Sequence, residues 1–255
     1  MNKKKIYFAS DFHLGADGKL TSKEREIQIV NWLSSIQGEI EELYLVGDIF
    51  DYWFEYKNAI PKGFSLFLGK LAELRALNIP IYLFTGNHDM WMFGYFEEEL
   101  GIPIYRKPII KKIQGKDLFI GHGDGLGPKD YGYKLLKKIL NNRLCQWAYA
   151  RIHPNLGIGL MKYFSSLSRG FGNEQFHSKS KERLIEYCES EIQKSKIDIF
   201  VFGHRHLPLD VTLSNNKSKY YNLGDWVNFQ SYGMMYNGEF TIEYYNKINK
   251  TVIVE

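Results

Sequence analysis

Five short polar motifs, each directly behind a run of apolar residues, constrain this chain more than any other feature. They are Asp11-Phe12-His13, Gly47-Asp48-Ile49-Phe50-Asp51, Gly86-Asn87-His88-Asp89, Gly121-His122-Gly123-Asp124 and Gly203-His204-Arg205-His206. The runs before them, at residues 5–9, 43–46, 81–84, 117–120 and 197–202, have the length and composition of buried strands. Polar residues at the carboxyl ends of neighbouring buried strands gather on one rim of a sheet, which is where open α/β folds carry their sites. The chain is therefore expected to be α/β, with one site assembled from all five strand ends.

The residue types in the motifs specify the chemistry. Carboxylate, imidazole and amide oxygen suit divalent ions such as Mn, Fe, Zn or Mg. Neither cysteine of the chain lies in a motif, which argues against a thiolate zinc site. A strand-ending Asp-x-His or Gly-His alone is ordinarily structural; five in order, each at a strand end, point to a pair of metal ions clamping an in-line displacement at phosphorus. Such a pair needs a shared carboxylate. Asp48, the first polar side chain after the second run, is placed to be that bridge.

The 255 residues suggest a single domain with one insertion at residues 125–172. Helices are expected at about 22–37, with Ile27, Val30, Leu33 and Ile36 as the apolar stripe, and at about 64–77, with Phe67, Leu71 and Leu74. Strand–helix alternation implies a mainly parallel sheet. Short strands are expected at 109–113 and 117–120, paired through Gln114-Gly115-Lys116. After the last motif, four strands at 220–223, 226–231, 239–245 and 251–254 suggest a second, antiparallel-rich sheet. Within the insertion, helical patterns cover 134–143, 144–153 and 156–167, broken at Pro154 and Gly157, and a further helix is expected at about 174–194.

Charge and hydropathy single out the insertion. Residues 129–172 hold eight lysines and arginines against one acid, Asp130, so the segment is +7 while the remainder of the chain is −3. It is also rich in large apolar residues, among them Leu140, Leu144, Trp147, Leu156, Tyr163 and Phe164. Apolar faces on short helices are ordinarily core. Basic and apolar faces together, added directly after a metal-ligand motif, fit a lid that takes an amphiphile at a membrane surface. Cys145 and Cys188 read as reduced thiols, Met1–Lys5 as a basic lead into a strand too short for a signal core, and no run reaches the ~20 apolar residues that span a bilayer. His153 and His177 lie outside every motif. Tyr52, Trp53, Phe54 and Tyr56 suit core packing or a pocket rim.

The motif series resembles the calcineurin-like metallophosphoesterase superfamily, with its D-x-H, GD, GNH, GH and GHxH pattern running from Asp11 to His206. That resemblance implies a four-layer αββα sandwich. It implies one metal on Asp11, His13, Asp48 and His206, and a second on Asp48, Asn87, His122 and His204. His88 would face the substrate, and the catalytic set would be Asp48, Asn87 and His88. Asp51 and Asp89 would orient ligands or else be plain turn residues. The helical insertion and the run His122-Gly123-Asp124 to Asp130-Tyr131 resemble the UDP-2,3-diacylglucosamine diphosphatase family of lipid A synthesis. Membership would imply cleavage to UMP and 2,3-diacylglucosamine 1-phosphate, Mn2+ as the metal, substrate contacts from Asn87, His88, Asp130, Arg169 and His204, and a cytoplasmic location on the inner membrane face with no nucleic acid partner. Arg169 and Lys179 could meet phosphate or headgroup. One departure stands out: the best-known branch carries Arg where this chain has His88, a titratable imidazole in place of a fixed guanidinium. The competing expectation is a phosphodiesterase or nuclease on the same metals, whose basic insertion would bind nucleic acid; a metal-binding scaffold without activity is disfavoured by the complete ligand series.

Overall fold

The structure, a computed structural model, describes residues 4–169, 176, 178, 179, 182–246 and 252–254; the side chains of residues 168, 169 and 252 fall outside that set. Two six-stranded sheets pack face to face. The first holds β1 (Lys5–Ala9), β2 (Ile40–Val46), β3 (Ile81–Phe84), β4 (Ile104–Tyr105), β10 (Ser231–Tyr236) and β11 (Glu239–Tyr244), in the order β11-β10-β1-β2-β3-β4. The second holds β5 (Ile109–Ile113), β6 (Lys116–Ile120), β7 (Ile199–Phe202), β8 (Pro208–Thr212), β9 (Lys219–Leu223) and β12 (Val252–Val254), in the order β12-β8-β9-β7-β6-β5.

The motif-bearing strands are parallel in both sheets: β1, β2 and β3 in one, β6 and β7 in the other. They are apolar nearly throughout because both of their faces are covered. Between the sheets, Phe8, Tyr44, Val46 and Phe84 meet Leu118, Ile120, Val201 and Leu223. On the outer face of the first sheet, α1 (Ser22–Ile36), α2 (Ser65–Ala76) and α3 (Tyr95–Leu100) bury Ile29, Trp32, Leu33, Phe67, Leu71, Leu74 and Phe96. On the outer face of the second, α7 (Arg183–Ile192) buries Leu184, Ile185 and Cys188 against Phe119, Phe200 and Phe202. These are the four expected layers.

Several local expectations are corrected. Ile27 of α1 is exposed, and the buried stripe is Ile29, Trp32, Leu33 and Ile36, with Arg25 and Glu26 buried beside it for polar reasons given below. The C-terminal strands do not all join the second sheet: β10 pairs with β1 and β11 with β10 in the first. Residues 226–229 form a turn, and the strand begins at Ser231. α3, β4 and β8 were not expected, being short pieces whose apolar content is too small to stand out by periodicity. The helix expected from residue 174 is described from Arg183, and His177 lies outside the described residues.

The helical segment consists of α4 (Tyr131–Leu140), α5 (Arg143–Tyr149) and α6 (Pro154–Arg169). Pro154 begins α6, where its missing N–H costs nothing. Gly157 lies inside α6, because a Cβ there would collide with the Tyr56 hydroxyl. Neither α4 nor α5 buries a residue. The segment is held at its base by an aromatic cluster. Tyr149 packs its ring 4.6 Å from Phe54 and 4.7 Å from Trp91, and Trp91 Nε1 donates to Leu140 O at 2.9 Å. Tyr52, Trp53 and Phe54 are thus packing residues. The outer surface of the segment carries large apolar side chains beside exposed lysines and arginines: Leu144 is 71% exposed, Leu156 70%, Tyr163 60% and Trp147 56%.

Candidate dinuclear metal centre

The five motifs meet. The ligand atoms of Asp11, His13, Asp48 and His206 lie within 4.8 Å of one another, and so do those of Asp48, His122 and His204. Asp48 belongs to both groups, which is the arrangement a bridging carboxylate requires. Asn87 completes the second group, its Oδ1 standing 3.3 Å from His122 Nε2. Ions bonded at about 2.0–2.2 Å place neighbouring ligand atoms about 3.0–3.6 Å apart. Three spacings fall in that range: His206 Nε2 to Asp11 Oδ1 is 3.2 Å, His13 Nε2 to His206 Nε2 3.3 Å, and His122 Nε2 to Asp48 Oδ2 3.2 Å; His13 Nε2 stands slightly wider, 3.8 Å from both Asp11 Oδ1 and Asp48 Oδ2.

Two buried oxygens test whether cations fit. Asp11 Oδ1 and Asp48 Oδ2 have no hydrogen-bond donor among the described residues, although imidazole nitrogens stand 3.2 Å away. Carboxylate oxygens buried without a donor are costly. Close to nitrogens yet not bonded to them, they are arranged as atoms that share a cation are. The other edges of the rings are also set for ligation. Nδ1 of His13 meets Asp51 Oδ1 at 3.2 Å, Nδ1 of His122 meets Val46 O at 2.9 Å, and Nδ1 of His206 meets Asp225 Oδ2 at 3.3 Å. Acceptors at Nδ1 hold the proton there and leave Nε2 free to ligate. His13, Asp51 and His88 also lie close together, but His13 turns Nδ1 to Asp51 and Nε2 to the first group, so this trio supports the site and is not a third centre.

The backbone is strained to make this rim. Asp11, His13, Asp48, His204 and His206 all take left-handed φ values, between 44° and 66°. Non-glycine residues in that region cost of order 1–3 kcal/mol each and persist where surrounding structure demands it. The sharp turns let consecutive residues at a strand end aim inward. The approach is so close that a Cβ at Gly86 would run into Asp48, and one at Gly203 into Asp11 and Ser10.

The protons follow the same geometry. Burial alone would push Asp48 up, but His122, His88 and His13 hold it well below the ordinary carboxylate range. Burial would push His13 and His122 down, but Asp11 and Asp51 around the first, and Asp48 and Asp11 around the second, push both up to about 10. His204 is lowered to about 4 by burial and by His122 beside it. Burial lowers His88 as well, against the attraction of Asp48.

Other expected residues fall as follows. Asp89 pins two motifs together, accepting from Ile49 N at 2.8 Å, Phe50 N at 3.3 Å and Gly86 N at 2.7 Å. Asp51 orients His13, so neither acid is a plain turn residue. Asp130 stands at the start of α4, with Arg183 3.4 Å away. Lys179 donates to Thr212 O at 3.1 Å. The Arg169 side chain lies outside the described residues.

Sequence reasoning missed three supports. Arg25, fully buried on α1, donates to Phe12 O at 2.7 Å, to His13 O at 2.6 Å and to Ala16 O, bracing the first motif. Ser165 of α6 donates to Asp51 Oδ2 at 2.6 Å. Asp225 holds His206, and its signal was legible: Gly224-Asp225 follows a strand just as Gly47-Asp48 does. Glu26 plays a structural part, accepting from Leu66 N at 2.9 Å and Phe67 N at 3.0 Å and so capping α2 from outside.

Comparison with known proteins agrees with this geometry. The family model described as Calcineurin-like phosphoesterase matches residues 4–208. The chain is 34% identical over 250 residues to a UDP-2,3-diacylglucosamine hydrolase of Porphyromonas gingivalis, covering 90% of this chain and 93% of that one. It is 24% identical over 226 residues to a protein of the same name from Aeromonas salmonicida, covering 86% and 85%. Among solved structures, the phosphoesterase Yfce from E. coli matches with a TM-score of 0.48 and 17% identity, over 95% of this chain and 93% of that one. The model match across most of the chain and the extended identity place this protein in the calcineurin-like phosphoesterase family.

Proposed function

We propose that this protein hydrolyses the pyrophosphate of UDP-2,3-diacylglucosamine, giving UMP and 2,3-diacylglucosamine 1-phosphate, at two divalent ions, with Mn2+ the favoured metal. Asp11, His13, Asp48 and His206 would hold one ion, and Asp48, Asn87, His122 and His204 the other. Bound there, the ions would acidify water and offset phosphoryl charge. Asn87 and His88 would meet the phosphoryl oxygens, where an imidazolium N–H stabilises developing negative charge. Asp11 and Asp48 remain ionised across the neutral range, as ligands must.

The observation that carries the substrate is the apolar face of the helical segment, anchored beside His88. Large apolar residues on α4, α5 and α6 are exposed, and exposed apolar surface concentrated on one segment is what a lipid or partner surface offers. No described helix is long and apolar enough to cross a membrane. The segment is read as a lid that receives acyl chains, on a protein held peripherally at the inner membrane face. Relatives that carry the name of this activity match the chain nearly end to end. A nucleic-acid face would keep its cations free. Here Lys134 donates to Gly127 O, Lys137 to Asp124, Arg151 lies over Trp147 and Lys162 over Tyr52.

The test compares a diacylated with a soluble substrate. Leu144→Asp and Trp147→Asp lie on the outer face and should impair turnover of UDP-2,3-diacylglucosamine far more than that of bis-p-nitrophenyl phosphate. Leu140 is a poor probe, because it packs inward on the aromatic cluster. Equal loss on both substrates with the fold intact would sink the lipid reading.

A further inference from the structure

We propose that Ser165 is a positioning residue for His88, and that through it α6 becomes part of the reaction centre. This rests on the reading of His88 as the group that meets the phosphoryl oxygens.

Three observations carry it. The first is burial. Phe164 and Leu167 on the same helix are 59% and 49% exposed, whereas Ser165 is 7% exposed. The second is how α6 docks. Gly157 and Ser165 are buried and Met161 between them is half-buried, the three at the i, i+4, i+8 spacing of one helix face. Gly157 meets Tyr56 and Tyr149 at one end of that face, and Ser165 meets the site at the other, about 12 Å along the axis.

The third is the pattern of hydrogen bonds. A serine hydroxyl has one proton and two lone pairs. Its proton goes to Asp51 Oδ2 at 2.6 Å. Ser165 Oγ can then only accept from His88 Nδ1, 3.1 Å away. The carbonyl of Asp51, 3.2 Å from the same nitrogen, is also an acceptor. Two acceptors hold the proton on Nδ1 and fix the ring, so that Nε2 is the nitrogen turned toward substrate, where it donates to a phosphoryl oxygen only as the imidazolium. Asp51 meanwhile holds His13 through its other carboxylate oxygen at 3.2 Å. One serine on the helical segment thus touches both the imidazole that meets substrate and the carboxylate that orients a metal-binding imidazole.

The experiment is a double-mutant cycle on the full chain loaded with Mn2+, using Ser165→Ala, His88→Ala and the pair, with kcat and KM measured on both bis-p-nitrophenyl phosphate and UDP-2,3-diacylglucosamine. Ser165→Ala should lower kcat about tenfold, the effect of losing one hydrogen bond to an ionised or ionisable group, with KM and manganese content unchanged. Ser165→Thr should restore most of the rate. In the His88→Ala background, Ser165→Ala should cost less than about twofold, because residues acting through one another are not additive. An equal loss in that background, or a change confined to KM, overturns the proposal. Ser165→Cys, close in volume and a poor donor, runs the same cycle should the alanine variant misfold. Wild-type turnover of the phosphodiester without turnover of the lipid substrate would refute the substrate reading and leave the cycle readable.

Discussion

Replacing Asp225 by Asn changes one atom's chemistry at the edge of the metal centre. Asp225 Oδ1 accepts from Asn228 N at 2.7 Å and Phe229 N at 3.1 Å, and Oδ2 faces His206 Nδ1 at 3.3 Å and Asn228 Nδ2 at 3.0 Å. An asparagine that keeps its oxygen on the two backbone donors must turn its NH2 group toward His206. Nδ1 then has to accept, the proton moves to Nε2, and the nitrogen that faces Asp11 is blocked. Flipping the amide restores the acceptor for His206 but sets NH2 against two backbone N–H groups. Either way one ligand is weakened. Loss of such a partner typically costs 10–100-fold in metal affinity, or about 1.4–2.8 kcal/mol. The loss should fall on the ion shared by Asp11, His13, Asp48 and His206. Calorimetric titration of metal-free protein with Mn2+ should show one site weakened by that factor and one unchanged, with turnover recovering at high Mn2+. Undiminished affinity at both sites, or equal weakening at both, would refute the assignment of His206 to one ion through Nε2.

Further outcomes follow from the same geometry. Asp48→Asn should abolish turnover and reduce bound metal, since its carboxylate belongs to both ligand groups; near wild-type activity rules out the bridge. His88→Ala should keep both ions but lower kcat by ~10²–10³, the range for removing a transition-state donor or acid; loss of metal would make His88 a ligand. The metal-free protein should lose stability on the alkaline side. His13 and His122 are raised from 6.5 to about 10, so their contribution is complete below 6.5 and lost as pH rises through about 10. Thermal unfolding of chelator-treated and Mn2+-loaded protein should therefore diverge as pH climbs through that window. Manganese binding near neutral pH should also release protons, because these imidazoles must deprotonate to ligate. A pH-independent gap in melting temperature, or no proton release, contradicts this picture.

The motifs were legible because buried parallel strands are apolar on both faces, so a polar residue at their carboxyl end has few roles other than function. That marked Asp11, His13, Asp48, Asn87, His122, His204 and His206 as candidate ligands without coordinates, and their convergence followed from strand parallelism. Family resemblance then supplied the layers and the proposed split of ligands between ions. Patterning also marked residues 125–172 as apolar and basic at once. What periodicity could not decide was anything that depends on partners distant in the chain. Ile27 and Ile29 are alike by composition, and only the packing of α1 on the sheet buries one and exposes the other. β10 and β11 read as strands, but their sheet was chosen by pairing with β1. Arg25 and Ser165 carry no local signal as strong as a strand-end histidine, because their work is to meet groups 12 and 114 residues away in the chain. Hydropathy reads the chain in one dimension, where ligands stand out by their surroundings; the residues that hold those ligands in place are defined only by contacts that folding makes.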